Sequence, residues 1–313
     1  MKIIFFGSAE FGKPSLKALV KAGHEVALVV TQPDRPKGRG LMPGSTAIKE
    51  AAFSLGIKFF QPESVNSPES VAGLKDLKPE VFVIIAYGQK FSREVLDIPS
   101  IIAVNVHASL LPKYRGAAPI NWAIINGDTK TGNTVMRVIP EMDAGPIILQ
   151  STVPIRPDDT AVRLEEVLAQ DAAVLLPEAL RRIEQKDFKS AAQDEAQATC
   201  APKLTRQTLR IDWQKKAVEV NDLVRGVLNW SAAYTFLRGR ILKVYETSVF
   251  ETRQSIRKPG EIIEVSDHGI VVAAGLGSVL IGELQLEGKA RLYCAEFLRG
   301  CPLAVGEMLG TSL

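Results

Sequence analysis

Cysteine is scarce: three among 313 residues, at Cys200, Cys294 and Cys301, with no CxxC spacing. An odd, sparse set excludes a disulfide framework and a thiolate zinc site, and fits a reducing, cytoplasmic setting. Long apolar runs are missing as well. None approaches the roughly 18 residues that a membrane span requires. The N-terminal run MKIIFFGSAEFG has a single lysine and ends in a strand-to-helix turn signal, so it reads as a buried strand rather than a leader. Charge of neither sign dominates, with a net value of +3, 46% hydrophobic and 23% charged residues. This is the composition of a globular chain of one large or two ordinary domains.

Two nucleotide-binding signatures are incomplete. Gly7-Ser-Ala-Glu-Phe-Gly12 lacks the middle glycine of GxGxxG, and no acidic residue clearly ends the second strand. Lys13 is followed by Pro14 rather than Ser or Thr, which excludes a P-loop. The Gly7 turn is therefore read as architecture. No internal repeat and no low-complexity tract is present.

What is there is an alternation of strands and helices. Buried strands are expected over 2–7, 25–31, 81–86 and 101–107, with a further pair over 131–139 and 147–155. Helices fit between them, starting after Ser8 as a cap with Pro14 early in the helix, then at 45–55, 68–76 and 92–96. A long amphipathic helix follows over 161–185. Alternating β and α units predict an α/β fold: a Rossmann-like, mostly parallel sheet with helices on both faces. Beyond a polar stretch, a helix over 217–227 and short β segments separated by Pro259-Gly260, Asp267-His268-Gly269 and Gly275–Gly277 predict a smaller β-barrel, OB-like in kind. The expected division is a catalytic domain over 1–190, a linker over 191–208 and a C-terminal barrel over 209–313.

The net charge is unevenly placed. Residues 1–199 balance, whereas 200–243 holds nine Lys and Arg (among them Lys203 and Arg206) against three acidic residues. A local basic surface suits a polyanion such as RNA, and equally suits a solvated face between domains.

The most informative stretch is Ala103-Val-Asn105-Val-His107-Ala-Ser109-Leu-Leu-Pro112. Asn105 and His107 are two apart on one strand, so they share a face at its carboxyl end, where open α/β sheets bind ligands. A lone histidine there would satisfy a buried backbone group. A pair followed by Leu-Leu-Pro-Lys-Tyr-Arg-Gly points instead to a site. Asp143 follows the strand over 131–139 in Glu141-Met-Asp-Ala-Gly-Pro146. An Asp in that position is by itself ordinary turn chemistry.

Asn105-Val-His107-Ala-Ser-Leu-Leu-Pro, with Asp143 downstream, resembles the signature of the folate-dependent formyltransferases. Thr31-Gln-Pro-Asp-Arg-Pro-Lys-Gly-Arg-Gly40, Ala86-Tyr-Gly88, Arg115-Gly-Ala-Ala-Pro119 and Arg210-Ile-Asp-Trp213 extend the likeness over essentially the whole chain. Together these segments resemble members of the family that act on methionyl-tRNA. The resemblance implies 10-formyltetrahydrofolate as donor and the α-amine of initiator methionyl-tRNA as acceptor. It implies a monomer with neither metal nor nicotinamide and no membrane partner. By the same likeness Asn105 and His107 would donate to the oxygen of the attacked formyl group, and Asp143 would orient His107 and help carry protons. Ser109, Leu110, Leu111 and Pro112 would line the folate site with Ala86, Tyr87, Gly88 and Gln89. Arg35, Lys37 and Arg39, in a flexible loop, would meet tRNA together with Lys203 and Arg206. Two departures stand out: Leu228-Asn-Trp230-Ser-Ala where the family often carries prolines, and Tyr114 where tryptophan is common. Competing readings are a sugar-amine or glycinamide-nucleotide formyltransferase, a hydrolase delivering formyl to water, and an RNA-binding module on an inactive scaffold.

Overall fold

The structure, a computed structural model, describes residues 1–37, 42–251 and 257–310, with backbone alone described at 36, 37, 42 and 43. The chain resolves into two compact units. The first comprises Met1–Pro119, Thr131–Pro154 and Glu165–Ala201. The second comprises Ile120–Lys130, Ile155–Leu164 and Pro202–Leu313.

A seven-stranded sheet organises the first unit, in the spatial order Ile147–Pro154, Lys130–Arg137, Ile102–His107, Val81–Ile85, Lys2–Gly7, Glu25–Val30, Phe59–Phe60. The five strands from Ile102–His107 to Phe59–Phe60 pair in parallel, and Lys130–Arg137 runs antiparallel to Ile102–His107. The central strands Lys2–Gly7 and Val81–Ile85 are near-continuous hydrophobic runs because both faces are covered: Ile3, Ile4, Phe5 and Phe6 expose nothing. Phe6 meets Phe82 and Phe91 edge-on, with centroids 4.9 Å and 5.1 Å away. The chain lays down Lys2–Gly7, moves to one side for Glu25–Val30, and later returns to the other side for Val81–Ile85. That reversal opens a crevice at the carboxyl ends of the first and fourth of these strands in chain order, beside Ser8 and Ala86.

Helix starts follow local chemistry. Thr46, Ser67 and Ser92 accept from the backbone N–H of Lys49, Ser70 and Val95 and so cap their helices. Ser8 is not a cap, contrary to expectation. Its hydroxyl donates to the Tyr87 carbonyl and accepts from the Gln32 N–H, tying three strand ends together. A short 3-10 turn over Glu10–Gly12 comes before the first helix, Lys13–Lys21.

In the second unit five antiparallel strands lie in the order Ala233–Leu237, Arg240–Glu251, Ser278–Leu286, Gly269–Ala273, Ile262–Ser266. Residues 306–310 hydrogen-bond at both edges of this sheet: Gly310 N–H donates to Phe236, and Leu309 N–H to Gly260. Trp213 of the Arg-Ile-Asp-Trp motif is a core anchor, 5% exposed, its indole donating to Thr235 Oγ1 at 2.9 Å. The helix Ala217–Val227 packs through Gly226, where an added Cβ would come within 2.9 Å of Ile125. Asn121 fixes the contact by donating to the Gly226 carbonyl at 2.7 Å. Among the described residues no helix is long and apolar enough to cross a membrane.

Candidate active site

Period-two spacing on Ile102–His107 sets Asn105 and His107 side by side, and the antiparallel neighbour brings Thr134 opposite His107. The Asn105 side chain is half-buried and has no hydrogen-bond partner among the described residues. An amide left available beside a buried strand end is a donor waiting for a ligand oxygen.

His107 is 7% exposed, and its Nε2 lies 2.8 Å from the Tyr114 carbonyl. A carbonyl can only accept, so Nε2 carries the hydrogen there. Nδ1 is left for chemistry. Tyr114 presents that carbonyl from a left-handed backbone, φ 64°. Nδ1 faces Asp143, with Oδ2 at 3.7 Å, inside ion-pair range and longer than a hydrogen bond. The same Oδ2 accepts from the Gly116 N–H at 2.9 Å. Asp143 is itself left-handed, φ 52°, in a turn folded tightly onto its strand: an added Cβ at Gly145 would fall 1.8 Å from the Arg137 carbonyl. The three residues singled out in sequence thus meet at one strand end, with Asn105 and His107 on the strand and Asp143 arriving from a strained loop.

The Ser109–Pro112 loop is held from beneath. Thr134 Oγ1 donates to the Ser109 carbonyl at 2.6 Å and accepts from the Leu111 N–H. Gln150 donates to the Leu111 carbonyl and to Thr134 Oγ1. The Leu111–Pro112 peptide is cis. Ser109 is fully buried, and its hydroxyl closes the turn onto the Lys113 carbonyl. Leu111 is core, while Leu110 and Pro112 are half-exposed. At the neighbouring strand end Ala86 and Gly88 are exposed with positive φ, whereas the Tyr87 ring is 2% exposed beside Phe6 and Phe91. Gln89 turns away to bond Val65 N–H and the Glu63 carbonyl. Side chains at 87, 89 and 109 therefore build the walls, and the exposed residues Ala86 and Gly88 together with the half-exposed Leu110 are what a ligand can reach.

The Tyr87 hydroxyl is buried without a hydrogen-bond partner, and burial pushes its phenol well above the usual range. Tyr87→Phe is expected to stabilise the protein by about 1 kcal/mol, since an unmade buried hydrogen bond costs that or more. Denaturant unfolding of the two proteins checks it.

Of the expected RNA contacts, Arg35 is exposed at the start of a two-stranded hairpin, Arg35–Lys37 with Met42–Gly44. The Lys37 side chain and all of Arg39 lie outside the described residues. The hairpin root is pinned: Asp34 accepts from Lys49 Nζ at 2.5 Å and from Gln61 Nε2 at 2.8 Å. Lys203 and Arg206 are exposed in the second unit and make no ion pair among the described residues. The basic excess over 200–243 is smaller at the surface than in the sequence. Arg225 is tucked against Asp222 and the Asp159 carbonyl, and Arg238 is paired with Glu307.

Sequence reasoning missed Thr134, Gln150, Gln193 and Thr199. The last accepts from Tyr114 N–H through its hydroxyl and from Arg115 N–H through its carbonyl. None has a local signal, because each acts through a partner far along the chain. Among the described residues no cluster of three or more His, Cys, Asp or Glu is placed to hold a metal ion.

Comparison with known proteins places this geometry among relatives. Residues 1–180 match the family model described as formyl transferase, and residues 203–302 match the formyl transferase C-terminal domain. The chain is 44% identical over 310 residues to a methionyl-tRNA formyltransferase of Acetivibrio thermocellus, covering 99% of this chain and 100% of that one. It is 43% identical to the methionyl-tRNA formyltransferase of Geobacter sulfurreducens over 311 residues, 99% and 97% of the two chains. Among solved structures, the fold is similar to an N-formyltransferase from Helicobacter canadensis in complex with folinic acid and dTDP-3-aminofucose. The TM-score is 0.67 at 18% identity, covering 90% of this chain and 98% of that one. HypX from Aquifex aeolicus in complex with tetrahydrofolic acid is similar at TM-score 0.64 and 20% identity, over 98% of this chain and 48% of that one.

Proposed function

The chain belongs to the formyl transferase family, and we propose that it transfers the formyl group of 10-formyltetrahydrofolate to the α-amine of initiator methionyl-tRNA. The observation that carries this reading is end-to-end likeness to methionyl-tRNA formyltransferases, at more than two residues in five, through both domains.

The residues present suit a folate. The exposed residues Ala86 and Gly88 leave open surface at the strand end beside the pterin's polar edge, and Leu110 offers an apolar wall. The folate, when bound, supplies an activated formyl carbon as electrophile. Asn105 donates its amide N–H to the oxygen on which negative charge grows, and one such donor is typically worth about 3 kcal/mol of barrier. His107 has its Nε2 hydrogen committed to Tyr114, so it meets the reaction through Nδ1, which accepts in the neutral ring and donates to that oxygen only when the ring carries a second proton. Asp143 holds the ring side on which that nitrogen lies, takes up the proton that the attacking amine gives up, and would pass it to the folate nitrogen that leaves as its bond to the formyl carbon breaks. The first unit is the catalytic domain, Rossmann-like with helices on both faces of its sheet. The second is an OB-like barrel that binds tRNA through exposed cations including Lys203 and Arg206. Closure through residues 306–310 supports the barrel reading. The protein works as a cytoplasmic monomer.

Formyl transfer from 10-formyltetrahydrofolate to methionyl-tRNA, with initiator and elongator species side by side, tests the reading. Formylmethionyl product on the initiator species is the expected result. Folate binding without product on either species would move the acceptor to a sugar or nucleotide amine, or to water.

Neutralising Arg35, Lys37 and Arg39 together should raise the KM for tRNA and leave folate affinity untouched. The dependence of log affinity on log salt should flatten by about one unit for each phosphate that the protein no longer neutralises. Unchanged tRNA kinetics and salt slope would return this hairpin to ordinary surface.

A further inference from the structure

Asp143 meets His107 from a loop, in a backbone conformation that a residue with a side chain adopts at a cost of about 1–3 kcal/mol. Something must hold it there. Part of the answer is Gly116, whose N–H binds the carboxylate, and part comes from the segment 191–201, which the sequence reads as linker.

Ala191 exchanges backbone hydrogen bonds with Ile147, and Cys200–Ala201 pairs in parallel with Arg115–Gly116. Between these two anchors lies Gln193. Its Nε2 donates to the carbonyls of Asp143 and Gly145, both at 2.8 Å. Its Oε1 accepts from Nε and Nη2 of Arg115, at 3.0 Å and 2.8 Å. The full hydrogen-bonding capacity of one amide, two donors and two acceptor sites, is used on groups that flank the site. Arg115 is in turn held by two bonds to Glu195, and its side chain is 15% exposed.

These bonds close a circuit. The Asp143 carboxylate is bound by Gly116 N–H, Gly116 follows Arg115, Arg115 binds Gln193, and Gln193 binds the Asp143 carbonyl. We infer that Gln193 is a positioning residue: by clamping two carbonyls of the Asp143 turn to the Arg115 loop, it sets the carboxylate at its distance from the His107 ring. The inference rests on the assignment of His107 and Asp143 as reacting groups.

Gln193→Glu separates the two halves of the clamp. The glutamate keeps oxygen toward Arg115, and strengthens that contact, but sets an acceptor against two carbonyls. Gln193→Leu removes both halves at similar size. Each variant is compared with the parent and with Asp143→Asn in formyl transfer to initiator methionyl-tRNA across pH, alongside thermal unfolding.

Both Gln193 variants should lose kcat by about tenfold or more, the scale of a sub-ångström misplacement of a reacting group. KM for folate and for tRNA should stay within about threefold, and the unfolding temperature close to the parent's. The pH–rate profile should shift, because the His107–Asp143 separation has changed. Turnover of Gln193→Glu close to the parent's would overturn the inference. So would a fall in turnover matched by loss of folded protein with the pH profile unmoved. If Asp143→Asn turned over normally, the assignment of the reacting pair would fail instead. An inert Asp143→Asn beside fully active Gln193 variants would remove Gln193 alone.

Discussion

Asp143→Asn is expected to lower kcat for formyl transfer by roughly a hundred- to ten-thousand-fold, the usual worth of positioned proton transfer. The fold should survive. The amide oxygen of an asparagine can still accept from Gly116 N–H, so the loop keeps the bond that fixes its side chain. Asparagine also tolerates the left-handed backbone that Asp143 adopts better than most residues do. What the variant loses is the charge beside His107 Nδ1 and the ability to take a proton. Single-turnover formylation with purified initiator methionyl-tRNA, read with a circular dichroism melt, gives both numbers. Near-parental turnover would remove Asp143 from the chemistry and leave it as turn architecture.

A methyl group at position 145 should do comparable harm by a different route. In Gly145→Ala the new carbon would meet the Arg137 carbonyl at 1.8 Å, a distance at which backbone has to move. The turn must lift from its strand, breaking the Arg137–Pro146 backbone bond of 3.0 Å and the Gln193 bond to the Gly145 carbonyl. A stability loss of roughly 3 kcal/mol or more is expected, at the top of the range for single substitutions. Turnover should fall by at least about a hundredfold as the Asp143 carboxylate leaves its place. Gly23→Ala is the control: glycine 23 has φ 81° and open space around it, so only the left-handed penalty of about 1–2 kcal/mol applies. Urea unfolding of the two variants in parallel separates a steric block from backbone strain. Equal losses would mean that the Gly145 turn yields without resistance.

The central strands of the first sheet were legible in the sequence because they are short, apolar, almost wholly buried runs. Lys2–Gly7 and Val81–Ile85 begin where the pattern of residues places them. The long helix Ala161–Glu184 and the helix Ala217–Val227 follow the same logic at helical period. Asn105 and His107 were legible as a pair because two polar side chains on a buried strand demand a reason. Other elements carry no such signal. The helix Pro119–Ile125 is seven residues, mostly apolar, and reads equally as strand. Phe59–Phe60 and Cys200–Ala201 are two-residue strands created by their partners. The segments Ile120–Lys130 and Ile155–Leu164 cluster with the second unit through contacts such as Asn121 to Gly226 and Arg225 to Asp159, and no local pattern announces a partner far away in the chain. Gln193 was invisible for the same reason: a glutamine in a polar stretch looks solvated until its partners are in place.

The pairing of Cys200–Ala201 with Arg115–Gly116 also bears on how the enzyme is made. The Tyr114 backbone that fixes the histidine tautomer is bonded to a threonine 85 positions later. Parallel pairing between Ile3 and Val81 has already waited across a comparable length of chain. On a ribosome, at about 5–20 residues per second, several seconds separate the emergence of His107 from that of Thr199. Throughout that interval the five parallel strands, all at or before His107 in the chain, are present without the reactive geometry. Catalytic competence is therefore acquired late in synthesis, well after the central strands have emerged.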